Sequence, residues 1–435
     1  MKKLLPIAFL SVLLISCSTQ EKPISMDTLA VKYVKLVLEI GQYNSDFVDA
    51  YYGPEEWKPT GKKLDSIPIK EFISRAEGLM QSVSEIDVKD SSALLKGRKA
   101  MFTKQLTAIK TKLEMIAGKT YDFDKEAQLL YDAEPPHYTE EHFDQLLSKL
   151  DSLVPGEGSL TERFNEFANE FIIPKDKLDT VFRVAIAEAR KRTLANVALP
   201  ENENFMLEYV TGKNWSGYNY YQGNFESLIQ INVDHPIYIE RAIDLACHEG
   251  YPGHHVFNAL LEKNLVVDKG WKEFSVYPLF SPQSLIAEGS ANFGIEVAFP
   301  GKERVDYEKN VLFPLAGLDS TKADLYYKVL DIKGKLNYAG NEAARNYLNG
   351  KITKEEAAKW LEKYSLSTPE RALQRTGFFD QYRSYVINYN LGKDIVANYV
   401  EANGGTADNP KKRWDIFKEL LSNPKTASDL RVEGD

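Results

Sequence analysis

Cysteine is nearly absent from this 435-residue chain: Cys17 and Cys247 are the two it has. A fold stapled by disulfides is therefore excluded. Basic charge is also in deficit. The formal net charge is −9 and no lysine- or arginine-rich stripe stands out, which argues against a nucleic-acid binder, because phosphate contacts need clustered cations. Beyond the N-terminus no apolar run is long enough to span a bilayer as a helix. What remains is 43% hydrophobic and 27% charged residues, enough to build a sizeable packed core. The length suits two or three domains, or one large helical one.

The first residues read as a targeting segment rather than as part of the fold. Lys2 and Lys3 are followed by a short apolar stretch, Leu4 to Ile15, too short for a transmembrane helix. It ends in Leu14-Ile15-Ser16-Cys17, which resembles a bacterial lipobox, with a polar tether after it. This implies a signal peptide over 1–16, a tether over 17–25, and a lipid on Cys17 that anchors an extracytoplasmic bacterial membrane lipoprotein, in the outer membrane or facing the periplasm. Acyl chains hold such an anchor by about 0.8 kcal/mol per buried CH₂. Cys247 then has no partner, and reads as a small buried hydrophobe.

From Met26 onward the hydrophobic spacing is helical. Leu29, Tyr33, Leu36 and Ile40 mark one helix, and a long amphipathic run ends at Gly118. A third starts at Thr139 and stops at Pro155-Gly156; another follows Pro174. Residues 204–234 break this rhythm with aromatic and β-branched residues spaced by Gly and Asn, which predicts two or three short strands. After them helices are expected over 282–299, 314–349, 353–363 and 367–402. The fold class is mainly α, with an N-terminal helical lobe over 26–155 as one wall of a cleft. A catalytic helical lobe covers 156–435 and carries the small sheet. That sheet is either a structural cap or an edge that takes an extended peptide.

Three of the six histidines fall within eight residues, in "HEGYPGHH". The stretch is like H-E-x-x-H, two imidazoles one helical turn apart on a metal, but its spacing is longer. Zn–N bonds are about 2.0–2.1 Å, so two ligating nitrogens must lie within about 4 Å of each other. On a regular helix His248 and His254 would stand about 9 Å apart along the axis, and His248 and His255 about 10.5 Å. The helix must therefore deform. Pro252 cannot donate to the carbonyl of His248 and clashes with it, and Gly250 and Gly253 tolerate unusual backbone. A bulge between Glu249 and His254 brings the second imidazole back, as helical bulges at functional sites do. His254 is the preferred second ligand and His255 the alternative. Glu249 is placed to take a proton from water activated by the ion.

A catalytic zinc keeps three protein ligands and one open position. The third is expected from "SPQSLIAEGSANFGIEVAF", where Glu288 sits among apolar and small residues and is costly there unless paired or coordinated. Glu296 is the fallback. Asp244, one turn before His248, is a candidate to orient that imidazole. Imidazole and carboxylate also suit manganese, cobalt and iron.

"HEGYPGHH" with the downstream "AEGSANF" resembles the bacterial family known as domain of unknown function 885, a branch of the gluzincin metallopeptidases with a mostly helical fold similar to neurolysin and carboxypeptidase Taq. "VDAYYGPEEW" and "YVINYNLG" extend the resemblance over most of the mature chain. It implies a single zinc ion held by His248, His254 and Glu288, with Glu249 as base. It also implies an oxyanion-stabilising tyrosine, Tyr389 or Tyr385. Many members read E-G-W-A where this chain has Glu288-Gly289-Ser290-Ala291, a departure that bears on the shape of the pocket beside the ligand. The expected activity is hydrolysis of short peptides, with peptide as the partner. A zinc amidase acting on a non-peptide or cell-wall amide, and a non-catalytic binding lipoprotein, are the alternatives.

Overall fold

The computed structural model describes residues 25–432 except 62 and 214. The expected signal segment and Cys17 lie outside the described residues. The chain is mainly helical, with two small sheets. Helix α1 spans Met26–Gly41, α2 Ile69–Glu85 and α3 Ala93–Ile116. Ser25 and Ser92 cap α1 and α3 by accepting from backbone N–H groups one turn in. The apolar faces of the three helices meet in a compact core that includes Leu29, Tyr33, Phe72, Phe102 and Leu106. A larger continuous core runs from Ala50 to Leu430 and surrounds the histidine motif.

Strand β1 (Val48–Tyr51) pairs antiparallel with a short strand late in the chain, Val276–Pro278, with Tyr51 opposite Val276. This ladder ties the residues after α1 to the segment just before the helix that carries Glu288. The expected strands over 204–234 are three: β2 (Asn204–Val210), β3 (Gly217–Gly223) and β4 (Glu226–Asn232). Their order is β2-β4-β3, with β2 parallel and β3 antiparallel to β4. Val276–Pro278 is β5.

Two of the expected helices are broken. The run expected over 314–349 ends a first short helix at Gly317, whose φ of 72° is left-handed. It resumes as Ala323–Lys335 and Tyr338–Leu348. The run over 367–402 splits into Pro369–Tyr382 and Ile387–Ala402. Arg383 lies between them at φ 52°. The break is held by the buried carboxylate of Glu126, which accepts from Arg383 Nε at 2.7 Å, Ser384 N at 3.1 Å and Ser384 Oγ at 2.7 Å. Local periodicity carries no trace of a partner so far away in the chain.

Candidate metal centre

Helix α4 (Glu240–Leu245) runs into a wider π turn over Ala246–Gly250, which contains His248 and Glu249. Tyr251 N donates to Ala246 O at 3.0 Å and Gly253 N to Cys247 O at 2.9 Å. Helix α5 (His254–Leu261) starts at once. The expected bulge is therefore a π turn followed by a sharp corner at Tyr251–Gly253. Gly253 is dictated by contact: a Cβ there would lie 1.9 Å from the carbonyl oxygen of His248.

The corner turns His254 back onto His248. Their Nε2 atoms are 3.2 Å apart. Helix α6 (Pro282–Ala298) supplies Glu288, whose Oε2 lies 3.3 Å from His248 Nε2 and 3.7 Å from His254 Nε2. Helix α7 (Pro369–Tyr382) leads through the break at Arg383 into helix α8 (Ile387–Ala402), which packs along α6. Helices α6 and α8 cross in backbone contact at Gly289 and Gly392, where a Cβ on Gly289 would meet the Gly392 carbonyl at 2.3 Å. This crossing brings the segment after α7 to Glu288.

Whether these residues fit a metal is decided by the donor triangle. Bonds of about 2.0–2.1 Å in a tetrahedral site separate neighbouring donors by roughly 3.3–3.4 Å, and the three observed separations bracket that spacing. Glu288 Oε2 is buried and has no hydrogen-bond partner among the described residues, which is costly for a carboxylate oxygen unless a cation occupies the space between it and the imidazoles. His248 Nδ1 lies 3.2 Å from Asn292 Oδ1, and Asn292 Nδ2 donates to the carbonyl of Tyr389 at 3.1 Å. That second bond fixes the amide, so His248 carries its proton on Nδ1 and turns the Nε2 lone pair to the centre. Two nitrogens and one carboxylate oxygen suit zinc with an open position, and other borderline metals as well.

Without an ion the centre is electrostatically tense. Burial would lower the pKa of His254, but the facing Glu288 carboxylate, with Glu249 and Asp49 behind it, holds it at about 9. Burial would raise Glu288, but the imidazoles of His248 and His254 that face it hold it well below the usual carboxylate range. The metal-free site therefore keeps a proton where the ion would sit.

Glu249 is buried on the π turn. Its carbonyl accepts from Asn219 Nδ2 on β3 at 2.7 Å, and β3 passes over its carboxylate at Gly217. The carboxylate has no hydrogen bond or ion pair among the described residues, so it is free to handle a proton. Tyr385, in the break between α7 and α8, donates to Glu288 Oε1 at 2.8 Å. Its hydroxyl is thus committed. Tyr389 stacks edge-on against it at 5.8 Å, and among the described residues its hydroxyl makes no hydrogen bond.

The remaining candidates lie elsewhere. His255 turns away: its Nδ1 lies 2.9 Å from Ser227 Oγ and its Nε2 3.0 Å from Glu203, which also accepts from Tyr251. It anchors α5 to the sheet and does not replace His254. Glu296 pairs with Lys393 at 2.5 Å, and Asp244 pairs with Arg241 and Arg304 instead of orienting His248. The imidazole is oriented by Asn292. Cys247 is fully buried and burial pushes its thiol up. Sequence reasoning passed over Asn292 and Asp49, and it offered Tyr385 for the oxyanion rather than as the donor to Glu288. Asp49, on β1, accepts from the Tyr218 hydroxyl beside the centre; the one available signal was its place in "VDAYYGPEEW".

No family model and no curated protein matches the chain. Solved structures do. A candidate lipoprotein from Colwellia psychrerythraea aligns with a TM-score of 0.51 at 13% identity, covering 82% of this chain and 65% of that one. The chain thus spans just under two thirds of that protein's length. A candidate lipoprotein of unknown function from Shewanella oneidensis aligns at 0.47 and 11%, covering 83% and 72%. Metallocarboxypeptidase 1 of Trypanosoma cruzi aligns at 0.43 and 12%, covering 92% and 91%. The first likeness is one of fold, and the other two are looser.

Proposed function

We propose that the chain is a zinc-dependent hydrolase that cleaves amide bonds of short peptides. The observation that carries this reading is the triangle of His248 Nε2, His254 Nε2 and Glu288 Oε2, with an unpaired glutamate on the same π turn. A zinc ion held by these three residues supplies a Lewis acid for the substrate carbonyl and lowers the pKa of water. The protein does the rest. Glu249 accepts the proton of the attacking water and returns it to the leaving amine. Tyr389, whose hydroxyl has no partner among the described residues, donates a hydrogen bond to the oxygen that gains charge in the transition state. Tyr385 keeps Glu288 in place. Glu288 is buried and the two imidazoles are mostly covered, which lowers the dielectric around the reacting groups.

Among the described residues no helix is long and apolar enough to cross a membrane. A lipid on Cys17 would hold the protein at an extracytoplasmic membrane face, with the polar residues after it as tether. The test of the enzymatic reading is a peptide-library digest by the zinc-loaded full chain and its Glu249→Gln variant. Cleavage by the first, with none by the second although zinc remains bound, supports it. Equal turnover by both refutes it.

A further inference from the structure

Asp49 comes from β1, far from the histidine motif in sequence, and is joined to the site through Tyr218 on β3, whose neighbour Gly217 lies against the Glu249 carboxylate. Pairing of β1 with β5 holds it there, and its Oδ1 accepts a hydrogen bond from the Tyr218 hydroxyl on β3. It lies close enough to His254, Glu288 and Glu249 to feel their charges, and burial, opposed by the Tyr218 hydrogen bond, pushes it up to about 6. Several buried carboxylates are matched by cations, Glu273 by Arg98, Glu308 by Arg304, Glu342 by Arg345 and Glu126 by Arg383, while Glu262 is held instead by the Tyr221 hydroxyl and two backbone N–H groups. Asp49 has no lysine or arginine within ion-pair distance among the described residues. A divalent ion would offset two of the three carboxylates in this cluster, Glu249, Glu288 and Asp49, and leave one negative charge over. Aromatic faces stand beside it. The Tyr218 and Tyr220 rings are 4.4 Å apart and Trp215 lies 5.5 Å from Tyr218, all partly exposed. An unmatched carboxylate flanked by aromatic faces is the chemistry that recognises an ammonium group.

We propose that Asp49, held by Tyr218, binds a primary ammonium group of the substrate next to the scissile bond, so that the site selects peptides carrying a free amine there. This rests on the peptidase reading above. Two sources offer that group, a free amino terminus and a lysine side chain, and the experiment separates them.

Three peptides are needed: a lysine-free peptide with a free amino terminus, its N-acetyl twin, and an acetylated variant whose first residue is replaced by lysine. Cleavage is measured with the zinc-loaded full chain, and equilibrium binding with the Glu249→Gln protein, which needs no turnover. Acetylation is expected to cut kcat/KM and affinity by roughly 30-fold or more, the low end for removing one partner of a desolvated charge pair. Asp49→Asn is expected to bring the free-to-acetylated ratio near one, mainly through KM, with zinc content unchanged. A lysine twin that regains the loss names the side chain as the source; one that does not names the amino terminus. Equal handling of all three peptides by the wild-type chain overturns the inference while leaving the peptidase reading intact. So does an Asp49→Asn protein that keeps the preference. If nothing is cleaved but the Glu249→Gln protein still prefers the free amine, the peptidase reading fails and the ammonium site stands. The wild-type comparison decides even if Asp49→Asn does not fold.

Discussion

Replacing Tyr385 with phenylalanine removes one oxygen atom from the centre and leaves the ring in place. The lost contact is the 2.8 Å hydrogen bond to Glu288 Oε1. Tyr385 is 5% and Glu288 7% exposed, so water does not substitute well for the missing donor. A hydrogen bond to a charged group contributes about 1.5–3 kcal/mol net, and each 1.4 kcal/mol is about tenfold in a binding constant. The expected result is zinc binding weakened by about 10–100-fold, the range for groups that orient metal ligands. The reason is geometric. With Oε1 engaged, only Oε2 faces the two imidazoles; freed, the carboxylate rotates or offers both oxygens to the ion. The assay is competition for zinc against a chromophoric chelator at fixed pH, with thermal melting of the metal-free proteins as a control. A dissociation constant within about twofold of wild type, on a protein that melts normally, would refute the reasoning, because it would mean Glu288 is fixed by packing alone.

Other outcomes follow from the same geometry. Glu249→Gln should lower kcat by about 10²–10⁴-fold while zinc stoichiometry is kept, since the lost group moves protons and binds no metal; turnover with stoichiometric zinc measures both. Gly253→Ala should abolish zinc binding or folding, because its Cβ has no room beside the His248 carbonyl; circular dichroism and metal analysis separate the two results. The metal-free protein should lose stability as pH rises from about 6.5 to about 9. The folded-state value of His254 is raised, so its contribution is fully present below the unfolded value and disappears through the folded one. Zinc uptake at neutral pH should correspondingly release a proton from His254, which calorimetry in buffers of different ionisation enthalpy detects.

Much of this centre is legible in the sequence because its main device is local. Proline and two glycines between His248 and His254 are incompatible with a regular helix, and that conflict predicts the bulge that the π turn and the Gly253 corner supply. The isolated acidic Glu288 in an apolar helix is legible on the same grounds of cost. The mainly helical class and the strands over 204–232 also follow from periodicity. What could not be read is whatever depends on distant pairing. The break at Arg383 needs Glu126, more than 250 residues earlier, and that break is what delivers Tyr385. Asp49 needs the β1–β5 ladder and Tyr218 on β3. Asn292 lies one helical turn beyond Glu288, and its role needs the imidazole of His248 and the carbonyl of Tyr389 from two other segments. Asp244 has the better spacing for that role, but Arg241 and Arg304 claim its carboxylate.

The most direct measurement is a crystal structure of the zinc-loaded full chain, with anomalous data collected on both sides of the zinc edge. One ion bound by His248 Nε2, His254 Nε2 and a single oxygen of Glu288, with Tyr385 still on the other oxygen, is the expected result. An ion bound elsewhere, or none between these three side chains at saturating zinc, would contradict it.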